Sequence, residues 1–272
     1  DALAMVQVAI HGAAGRMGQS IASVLHDDLE GNLVAAMDRE GSELLGHDMG
    51  TLIGKSPSGV CITSDVEEFL SNVEVVIDFS VAPATAKLLP ICAGQHIPMV
   101  IGTTGLDAAT RAGLERAAEM VPIVFAPNYS QGVNALYFLA ARATELLGQA
   151  FDAEIVEIHH RNKVDAPSGT AVRLAEVVAE AKQLDPEQAV SHGRSGHVGA
   201  RPLEEVGVMA LRGGDVVGEH TLYLTGEGER IELTHRATDR SIFARGAVRA
   251  AHWVVGRPAG LYDMADVMGI PR

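Results

Sequence analysis

The sequence is poor in cysteine and in aromatic residues. It has two cysteines among 272 residues, Cys61 and Cys92, which form neither a CxxC pair nor a zinc-binding spacing. This usage predicts reduced thiols in a cytoplasmic protein. Aromatic residues make up only 4% of the chain, whereas there are 29 glycines, a balance that favours an α/β protein with many tight turns.

Long apolar runs and positive charge are also scarce. No apolar run reaches the roughly 18–20 residues that a membrane helix needs, and the first residues lack the basic start and apolar core of a signal peptide. The net charge of −14 argues against nucleic acid and anionic membranes as partners. The 47% of hydrophobic residues are ample for a core, and the length indicates two domains.

A glycine-rich turn lies near the start of the chain. The apolar run Met5–Ile10 predicts a buried strand that leads into Gly12-Ala13-Ala14-Gly15-Arg16-Met17-Gly18, and a helix-like run follows. A second predicted strand, Leu33–Met37, ends at Asp38. This order of strand, turn, helix, strand and acid is typical of a dinucleotide-binding unit, in which backbone passes close to a pyrophosphate.

Asp38 stands directly beside Arg39 at the end of that second strand. An acid at this place accepts hydrogen bonds from ribose hydroxyls and favours NADH, whereas an arginine pairs with the extra phosphate of NADPH. Having both predicts weak discrimination between the two cofactors. The alternative interpretation of Arg39 is a solvated loop charge.

Three further predicted strands end in polar or glycine-rich segments. They are Val73–Ser80, which contains Phe79, Pro98–Ile101 before Gly102-Thr103-Thr104-Gly105, and Ile123–Ala126 before Pro127-Asn128-Tyr129-Ser130. In open parallel sheets, ligands bind beyond the carboxyl ends of the strands. These segments therefore predict the rest of a cofactor edge, although Thr103 and Thr104 also suit an ordinary turn.

The segment from Glu154 to Thr170 joins an apolar strand to reactive side chains. His159 and His160 stand side by side, Lys163 follows, and Pro167-Ser168-Gly169-Thr170 opens a predicted helix. Histidine exchanges protons near neutral pH, lysine is a localised cation, and N–H groups at a helix N-terminus bind anions. The combination predicts an enzyme that acts on a carboxylated small molecule.

Other interpretations of this segment are plainer. Paired histidines are often solvated or buried in a core, and Ser168 or Thr170 suits a helix N-cap. A metal site is disfavoured because adjacent strand residues point to opposite faces and no third Cys or His has zinc-like spacing. A hydrolase using Ser168 is disfavoured because Ala-Pro-Ser-Gly-Thr lacks the G-x-S-x-G elbow. A non-catalytic NAD(P)-binding sensor would need no histidine–lysine segment.

Two domains are predicted. Residues 1–130 with 241–272 form a dinucleotide-binding domain with a Rossmann-like, doubly wound parallel sheet. Residues 131–240 form a smaller α+β domain with a mixed or antiparallel sheet, and this domain carries the segment predicted to bind the substrate. The helix Ser241–Val255 is expected to pack back on the first domain. The reacting groups are expected in the cleft between the domains.

The second predicted domain is built from two helices and four strands, with residues 183–201 predicted as loop. The predicted helices are Val133–Leu147 and Thr170–Lys182, and the predicted strands are Ala153–His159, Val206–Arg212, Val217–Thr225 and Arg230–His235. Short strands separated by glycines predict antiparallel neighbours.

The chain closely resembles the bacterial 4-hydroxy-tetrahydrodipicolinate reductase family, also called dihydrodipicolinate reductase, over essentially its whole length. The resemblance rests on the Glu154–Ala171 signature, with Gly12–Gly18, Gly102–Gly105 and Phe125–Ser130 in the expected order. It implies reduction of a cyclic imine dicarboxylate by NADH or NADPH to tetrahydrodipicolinate on the diaminopimelate and lysine pathway. It also implies a homotetramer assembled through the second domain.

The resemblance carries roles to individual positions. His159 resembles the family's proton donor, and Lys163 resembles its partner in catalysis. The implied substrate-binding residues are His160, Ser168, Gly169, Thr170 and Arg240. The implied cofactor-binding residues are Gly12, Ala13, Ala14, Gly15, Arg16, Met17, Asp38, Arg39, Phe79, Gly102, Thr103, Thr104, Ala126, Asn128 and Tyr129. Asp38 stands where the family often has Glu, which leaves the cofactor preference open.

Overall fold

The computed structural model describes residues 5–271, and residues 1–4 and 272 of the predicted dinucleotide-binding domain lie outside that range. The chain divides into two compact units. The described residues up to Gln131, together with those from Ser241 onward, form the first unit, and Gly132–Arg240 form the second.

Strands and helices alternate along the first part of the chain. The elements are β1 (Val6–His11), α1 (Arg16–His26), β2 (Gly31–Met37), α2 (Met49–Leu52), β3 (Ile62–Thr63), α3 (Val66–Phe69), β4 (Val75–Asp78), α4 (Ala82–Gly94), β5 (Met99–Ile101), α5 (Ala108–Ala118) and β6 (Pro122–Phe125). The alternation of strands and helices is typical of a parallel α/β sheet.

The next stretch forms the second unit, and the chain then returns to the first. The second unit contains α6 (Gln131–Leu147), a 3₁₀ turn (Gly148–Ala150), β7 (Asp152–His159), α7 (Gly169–Ala181), α8 (Pro186–Ala189), β8 (Val190–His192), β9 (Val206–Arg212), β10 (Gly218–Thr225) and β11 (Arg230–Ala237). The returning elements are α9 (Ser241–Val254), β12 (Gly260–Tyr262) and α10 (Met264–Met268).

The first unit is a seven-stranded sheet in the order β12-β6-β5-β4-β1-β2-β3, and its paired strands run parallel. Successive strand residues face opposite layers. Ile10 packs with α1 and α9, whereas its neighbour Ala9 packs with α4 and α5. This arrangement confirms the predicted doubly wound sheet and places helices on both faces. The strand order reverses between β1 and β4, which is where such sheets bind ligands.

Helix α9 is part of the first unit's core. Its alanine-rich face, including Ala244, Ala247 and Ala251, is fully buried in the same cluster as β1 and β4. Small side chains let the helix lie close to the sheet. At Gly246 a Cβ would collide with the carbonyl oxygen of Tyr129, so only glycine allows this approach.

The second unit is a five-stranded mixed sheet in the order β11-β10-β7-β9-β8. Strand β10 runs antiparallel to both β11 and β7, whereas β9 runs parallel to β7 and to β8. One face of the sheet packs on α6 and α7 through Ile155, Leu174 and Leu222, among others. The glycine turn after β9 does not make a β9–β10 hairpin, because β7 lies between these two strands.

Two parts of the sequence-based prediction were wrong in detail. The predicted loop 183–201 contains α8 and β8. Asp185 caps α8 by accepting a hydrogen bond from the N–H of Glu187, and the strand is a short, polar edge strand that shows no apolar pattern. The elements β12 and α10 were not predicted at all. Within residues 5–271, no helix is long and apolar enough to cross a membrane.

Candidate functional site

The glycine turn after β1 is built so that only glycine fits at two of its positions. Gly12 has a φ of +80°, and a Cβ on it would lie 2.7 Å from the carbonyl oxygen of Phe79. A Cβ on Gly18 would collide with the carbonyl oxygen of Gly12. The turn is therefore packed tightly between β4 and the first turns of α1. This is the close backbone approach that a pyrophosphate site requires.

Asp38 is tied to the glycine turn by its carboxylate. Its Oδ2 accepts the N–H of Ala14 at 2.9 Å, and its Oδ1 accepts the N–H of Arg39 at 2.8 Å. The two bonds hold the carboxylate at the carboxyl edge of β2, and each oxygen keeps a further lone pair for a ribose hydroxyl. The guanidinium groups of Arg16 and Arg39 are exposed on the same unit. These residues fit a dinucleotide.

A buried carboxylate connects the strand ends beside this turn. Asp78, fully buried, lies 3.1 Å from Nδ1 of His11 and accepts the hydroxyl of Thr85 at 2.7 Å. The hydroxyl of Thr103 lies 3.4 Å from Asp78 and 3.0 Å from that of Thr85. Burial alone would raise the pKa of Asp78, but His11, Ser80 and Thr85 outweigh it and lower the pKa. The side chain of Thr103 is thus engaged inside the protein.

Aromatic rings fill the space behind the Gly102 loop. The rings of Phe79 and Tyr129 are 5.4 Å apart and tilted, and a Cβ on Gly102 would overlap the Phe79 ring. The hydroxyl of Tyr129 lies 2.8 Å from the carbonyl oxygen of Ile101, and this residue is 1% exposed. A cofactor contact from the phenol of Tyr129 is therefore not favoured, whereas its backbone lies at the strand edge.

The other predicted cofactor residues belong to the same unit. Asn128 accepts the N–H of Ser130 at 2.8 Å through its side-chain oxygen. Ala13 and Ala126 are buried, Ala14, Met17 and Gly102 are half-buried, and Gly15 and Thr104 are exposed. Their direct contacts to a cofactor remain predictions.

The second unit places His159 and Glu157 on one face of β7. Alternate residues of this strand are buried, so both side chains point toward the face that carries α7. Nδ1 of His159 lies 2.7 Å from Oε2 of Glu157, which is fully buried. The exposed fraction of the His159 side chain is 12%.

Glu157 accepts two further sets of hydrogen bonds. Arg212 donates from Nη1 to Oε2 at 2.8 Å and from Nη2 to Oε1 at 3.0 Å. The backbone N–H of Ser168 donates to Oε1 at 3.0 Å. One buried carboxylate therefore joins the predicted proton donor to the N-terminus of α7.

Ser168 is the N-cap of α7, the plainer of its two sequence interpretations. Its hydroxyl accepts the N–H of Ala171 at 3.2 Å and lies 2.9 Å from Nε2 of His220. A serine–histidine pair resembles a hydrolase dyad, but Ser168 is 3% exposed. Nδ1 of His220 has no hydrogen-bond partner among residues 5–271 that could orient the ring. The geometry does not favour a nucleophilic serine.

The remaining predicted substrate residues carry cations around this turn. Nζ of Lys163 lies 2.8 Å from Oδ1 of Asp165, and its N–H donates to the carbonyl oxygen of His160. Nη2 of Arg240 lies 3.2 Å from Nε2 of His160. The structure thus brings Arg240, 80 positions away in sequence, to the histidine segment.

Burial and charge shift three pKa values at this site. Burial lowers the pKa of His159. The positive charges of Lys163 and Arg212 lower this pKa further, whereas Glu157 raises it without cancelling the decrease. Burial lowers the pKa of His220 from 6.5 to about 4, so its ring is neutral near pH 7. Burial alone would raise the pKa of Glu157, but Arg212, His159 and the Ser168 N–H together lower it.

Sequence reasoning missed four residues here: Glu157, Arg212, Gly218 and His220. An acid at an inward-facing position of an apolar strand was the one visible signal, because buried carboxylates need partners. Arg212 lies 55 positions from Glu157, and His220 lies 52 positions from Ser168. Gly218 acts by having no side chain, because a Cβ there would stand 2.8 Å from Nε2 of His159. In the described part of the chain, no three His, Cys, Asp or Glu side chains are grouped as a metal site would need.

Comparison with known proteins follows the same division of the chain. Residues 6–129 match the family model of the dihydrodipicolinate reductase N-terminus, and residues 132–268 match that of its C-terminus. The chain is 51% identical over 266 residues to the 4-hydroxy-tetrahydrodipicolinate reductase of Anaeromyxobacter sp. (strain Fw109-5), covering 98% of each. It is 49% identical over 265 residues to that of Thiobacillus denitrificans (strain ATCC 25259 / T1), covering 97% of this chain and 99% of the relative.

A solved structure shares the fold. Dipicolinate-bound dihydrodipicolinate reductase from Paenisporosarcina sp. TG-14 superposes with a TM-score of 0.76 at 24% identity, covering 98% of this chain and 100% of that one. A second solved structure, GenD2 from gentamicin A biosynthesis in complex with NAD, superposes with a TM-score of 0.59 at 16% identity, covering 95% and 89%.

Proposed function

The chain belongs to the dihydrodipicolinate reductase family, and we propose that His159 donates the proton in the reduction this family performs. The chain is an NAD(P)H-dependent oxidoreductase of diaminopimelate and lysine biosynthesis rather than a non-catalytic NAD(P)-binding sensor. One observation carries the role of His159. A buried carboxylate, Glu157, binds both this ring and the N-terminus of α7.

The substrate is a small molecule, which we propose to be a cyclic imine dicarboxylate. When bound, a nicotinamide would supply the hydride, and its addition to a ring carbon conjugated with the imine would leave electron density on the nitrogen side. The product needs one proton, which His159 delivers as a general acid. Substrate carboxylates beside His159 offset Lys163 and Arg212, and this raises the pKa of His159 toward the range where it carries a proton.

The carboxylates are held by Lys163, His160, Arg240 and the first turn of α7. The N–H of Ser168 already donates to Glu157, and its hydroxyl caps the helix. Ser168 therefore shapes the turn, and the backbone at Gly169 and Thr170 faces the substrate. α7 is 13 residues long, so the positive end of its dipole adds to this attraction.

We propose that either NADH or NADPH serves, and that no metal takes part. Asp38 is held by two backbone N–H groups at the place of the ribose, and Arg39 is exposed beside it. Asp38 supports binding of the ribose hydroxyls of NADH, and Arg39 supports binding of the phosphate of NADPH.

We also propose a cytoplasmic homotetramer assembled through the second unit. The face of its sheet opposite α7 carries apolar side chains, and Met209 and Leu211 are 39% and 44% exposed. These two residues stand opposite Val156 and Ile158 of β7 in the sheet register. An apolar patch of this kind supports association between copies. Sedimentation velocity tests this assembly, and a monomer at all concentrations would contradict it.

The substitution His159→Gln tests the proton donor. We expect kcat to fall roughly 10²–10⁴-fold with little change in KM, because a general acid acts mainly in the transition state. NADH affinity, measured by fluorescence titration, should stay at the wild-type value. The matched control is His197→Gln, an exposed histidine of the same unit. Near-normal kcat in His159→Gln would remove this residue from the mechanism.

A further inference from the structure

The buried carboxylate Glu157 lies at the centre of a hydrogen-bond network beside His159. It makes four contacts: Nδ1 of His159, both terminal nitrogens of Arg212 and the N–H of Ser168. Each of its two oxygens is in contact with two nitrogen atoms. A fully buried carboxylate with this many donors is held in one position, because any movement would break several charge-assisted bonds.

Arg212 is held as firmly as the carboxylate it binds. It stands beside His159 in the register of the parallel strands β7 and β9. Besides the two bonds to Glu157, it donates from Nη1 to the carbonyl oxygen of Leu211 at 2.6 Å and from Nη2 to that of Asp165 at 2.7 Å. Asp165 lies in the loop that also carries Lys163. Arg212 therefore connects the strand, the buried carboxylate and the substrate-binding loop.

We propose that Glu157 and Arg212 are positioning residues for the proton transfer, with Glu157 fixing which nitrogen of His159 donates and Arg212 keeping Glu157 an acceptor. The proposal rests on His159 being the proton donor. Nδ1 is bound to Glu157, so the neutral ring carries its hydrogen on Nδ1 and the proton leaves from Nε2. Glu157 also binds Ser168, so it sets the distance between this nitrogen and the carboxylate-binding turn.

Arg212 has a separate electrostatic task. Without its charge, a buried carboxylate would lie 2.7 Å from a protonated imidazole and would compete with the substrate for the proton. Arg212 lowers the pKa of Glu157, which keeps that competition weak. The two residues act on His159 with opposite sign, because Glu157 raises its pKa and Arg212 lowers it.

Side chains from four segments face His159. Glu157 lies on the same strand, β7, Arg212 lies on β9, and Lys163 lies in the loop that follows β7. The ring of His220 on β10 is 5.1 Å from the ring of His159. His220 is neutral near pH 7. Among residues 5–271, the charges that act most strongly on His159 are those of Glu157, which is negative, and of Lys163 and Arg212, which are positive. Replacing Glu157 in one variant and Arg212 in another should therefore shift the pKa of His159 in opposite directions.

The test is the pH dependence of kcat/KM in three variants, with deuterium-labelled NADH as cofactor to confirm that hydride transfer is being observed. Activity falls at high pH as His159 loses its proton. In Glu157→Gln this alkaline limb should move down by roughly one pH unit, and in Arg212→Met it should move up by a similar amount. Arg212→Lys keeps the charge, so its limb should stay near the wild-type position although kcat falls.

Shifts in the same direction, or no shift in either variant, would overturn the proposal. If His159→Gln keeps its activity, the proton donor itself is wrong, which separates the two failures. Should a variant not fold, the wild-type protein with ¹⁵N-labelled histidine provides a second test. Above its pKa, the neutral ring of His159 should carry its hydrogen on Nδ1 in long-range ¹H–¹⁵N spectra. A hydrogen on Nε2 would contradict the role of Glu157.

Discussion

Gly218 leaves room for the ring of His159, because a Cβ at Gly218 would stand 2.8 Å from Nε2 of that histidine. Strand β10 begins at Gly218, and its next residue, Glu219, pairs with Ile158 of β7. The position beside the proposed proton donor must therefore lack a side chain if the ring is to keep its place. Any larger residue would displace the nitrogen that we propose to donate the proton.

Gly218→Ala should lower kcat with little loss of stability. The ring is the far end of a side chain and can shift while its Nδ1 stays near Glu157, so the fold accommodates the new methyl group. A shift of about 1 Å at a reacting atom nevertheless costs roughly a hundredfold in rate. The measurement is kcat together with the melting temperature. Gly213→Ala is the control, since a Cβ there meets nothing within 4 Å. Equal kcat in the two variants would refute the steric argument.

Pyridine-2,6-dicarboxylate should inhibit in competition with the substrate. Its two carboxylates mimic those of the cyclic imine, whereas its aromatic ring cannot accept a hydride. Lys163→Ala should weaken this inhibitor and the substrate together by roughly 1.5–3 kcal/mol, the scale of a hydrogen bond to a charged group. Lys163→Arg should restore only part of the affinity, since its fork is larger and differently aimed.

Asp165→Asn is the matched control for this titration. Its carboxylate pairs with Lys163 at 2.8 Å, so removing the charge should leave Lys163 available and keep or strengthen inhibitor binding. Calorimetric titration with NADH present measures all four proteins. Unchanged affinity in Lys163→Ala would place the carboxylate elsewhere.

Arg39→Ala should weaken NADPH binding by roughly 1–3 kcal/mol and spare NADH, because the lost contact is to the 2′-phosphate alone. Asp38→Ala should show the reverse preference, weakening NADH more. Fluorescence titration of both cofactors into each variant provides the comparison. An equal loss for both cofactors in Arg39→Ala would reject the phosphate contact.

His220 should make the fold less stable in acid. Its pKa is lowered by burial from 6.5 to about 4, so the unfolded chain binds a proton that the folded chain does not. Its contribution is therefore lost as the pH falls from 6.5 to about 4, up to roughly 3 kcal/mol. Urea unfolding across this range should be less pH-dependent in His220→Asn, whereas exposed His197→Asn should match wild type. If the free energy of unfolding had the same pH dependence in all three proteins, His220 would not be the source of the acid sensitivity.

Local sequence patterns were enough to predict much of this protein. The alternation of buried strands and helices indicated a parallel sheet. The glycines from Gly12 to Gly18 indicated the dinucleotide turn, because the steric requirements of a turn fall on residues that are adjacent in sequence. The segment from His159 to Thr170 was recognisable for the same reason. Its strand end, loop and helix cap are consecutive, so residue type and spacing alone indicated proton transfer beside an anion site.

Only the tertiary structure decided how these groups are held. Arg212 reaches Glu157 from 55 positions away, and His220 reaches Ser168 from 52. Both contacts exist because β7 lies between β9 and β10, an order that the glycine turn after β9 did not reveal. Strand order and register depend on how a whole sheet buries its apolar face. The periodicity of a short segment therefore does not indicate which strands become neighbours.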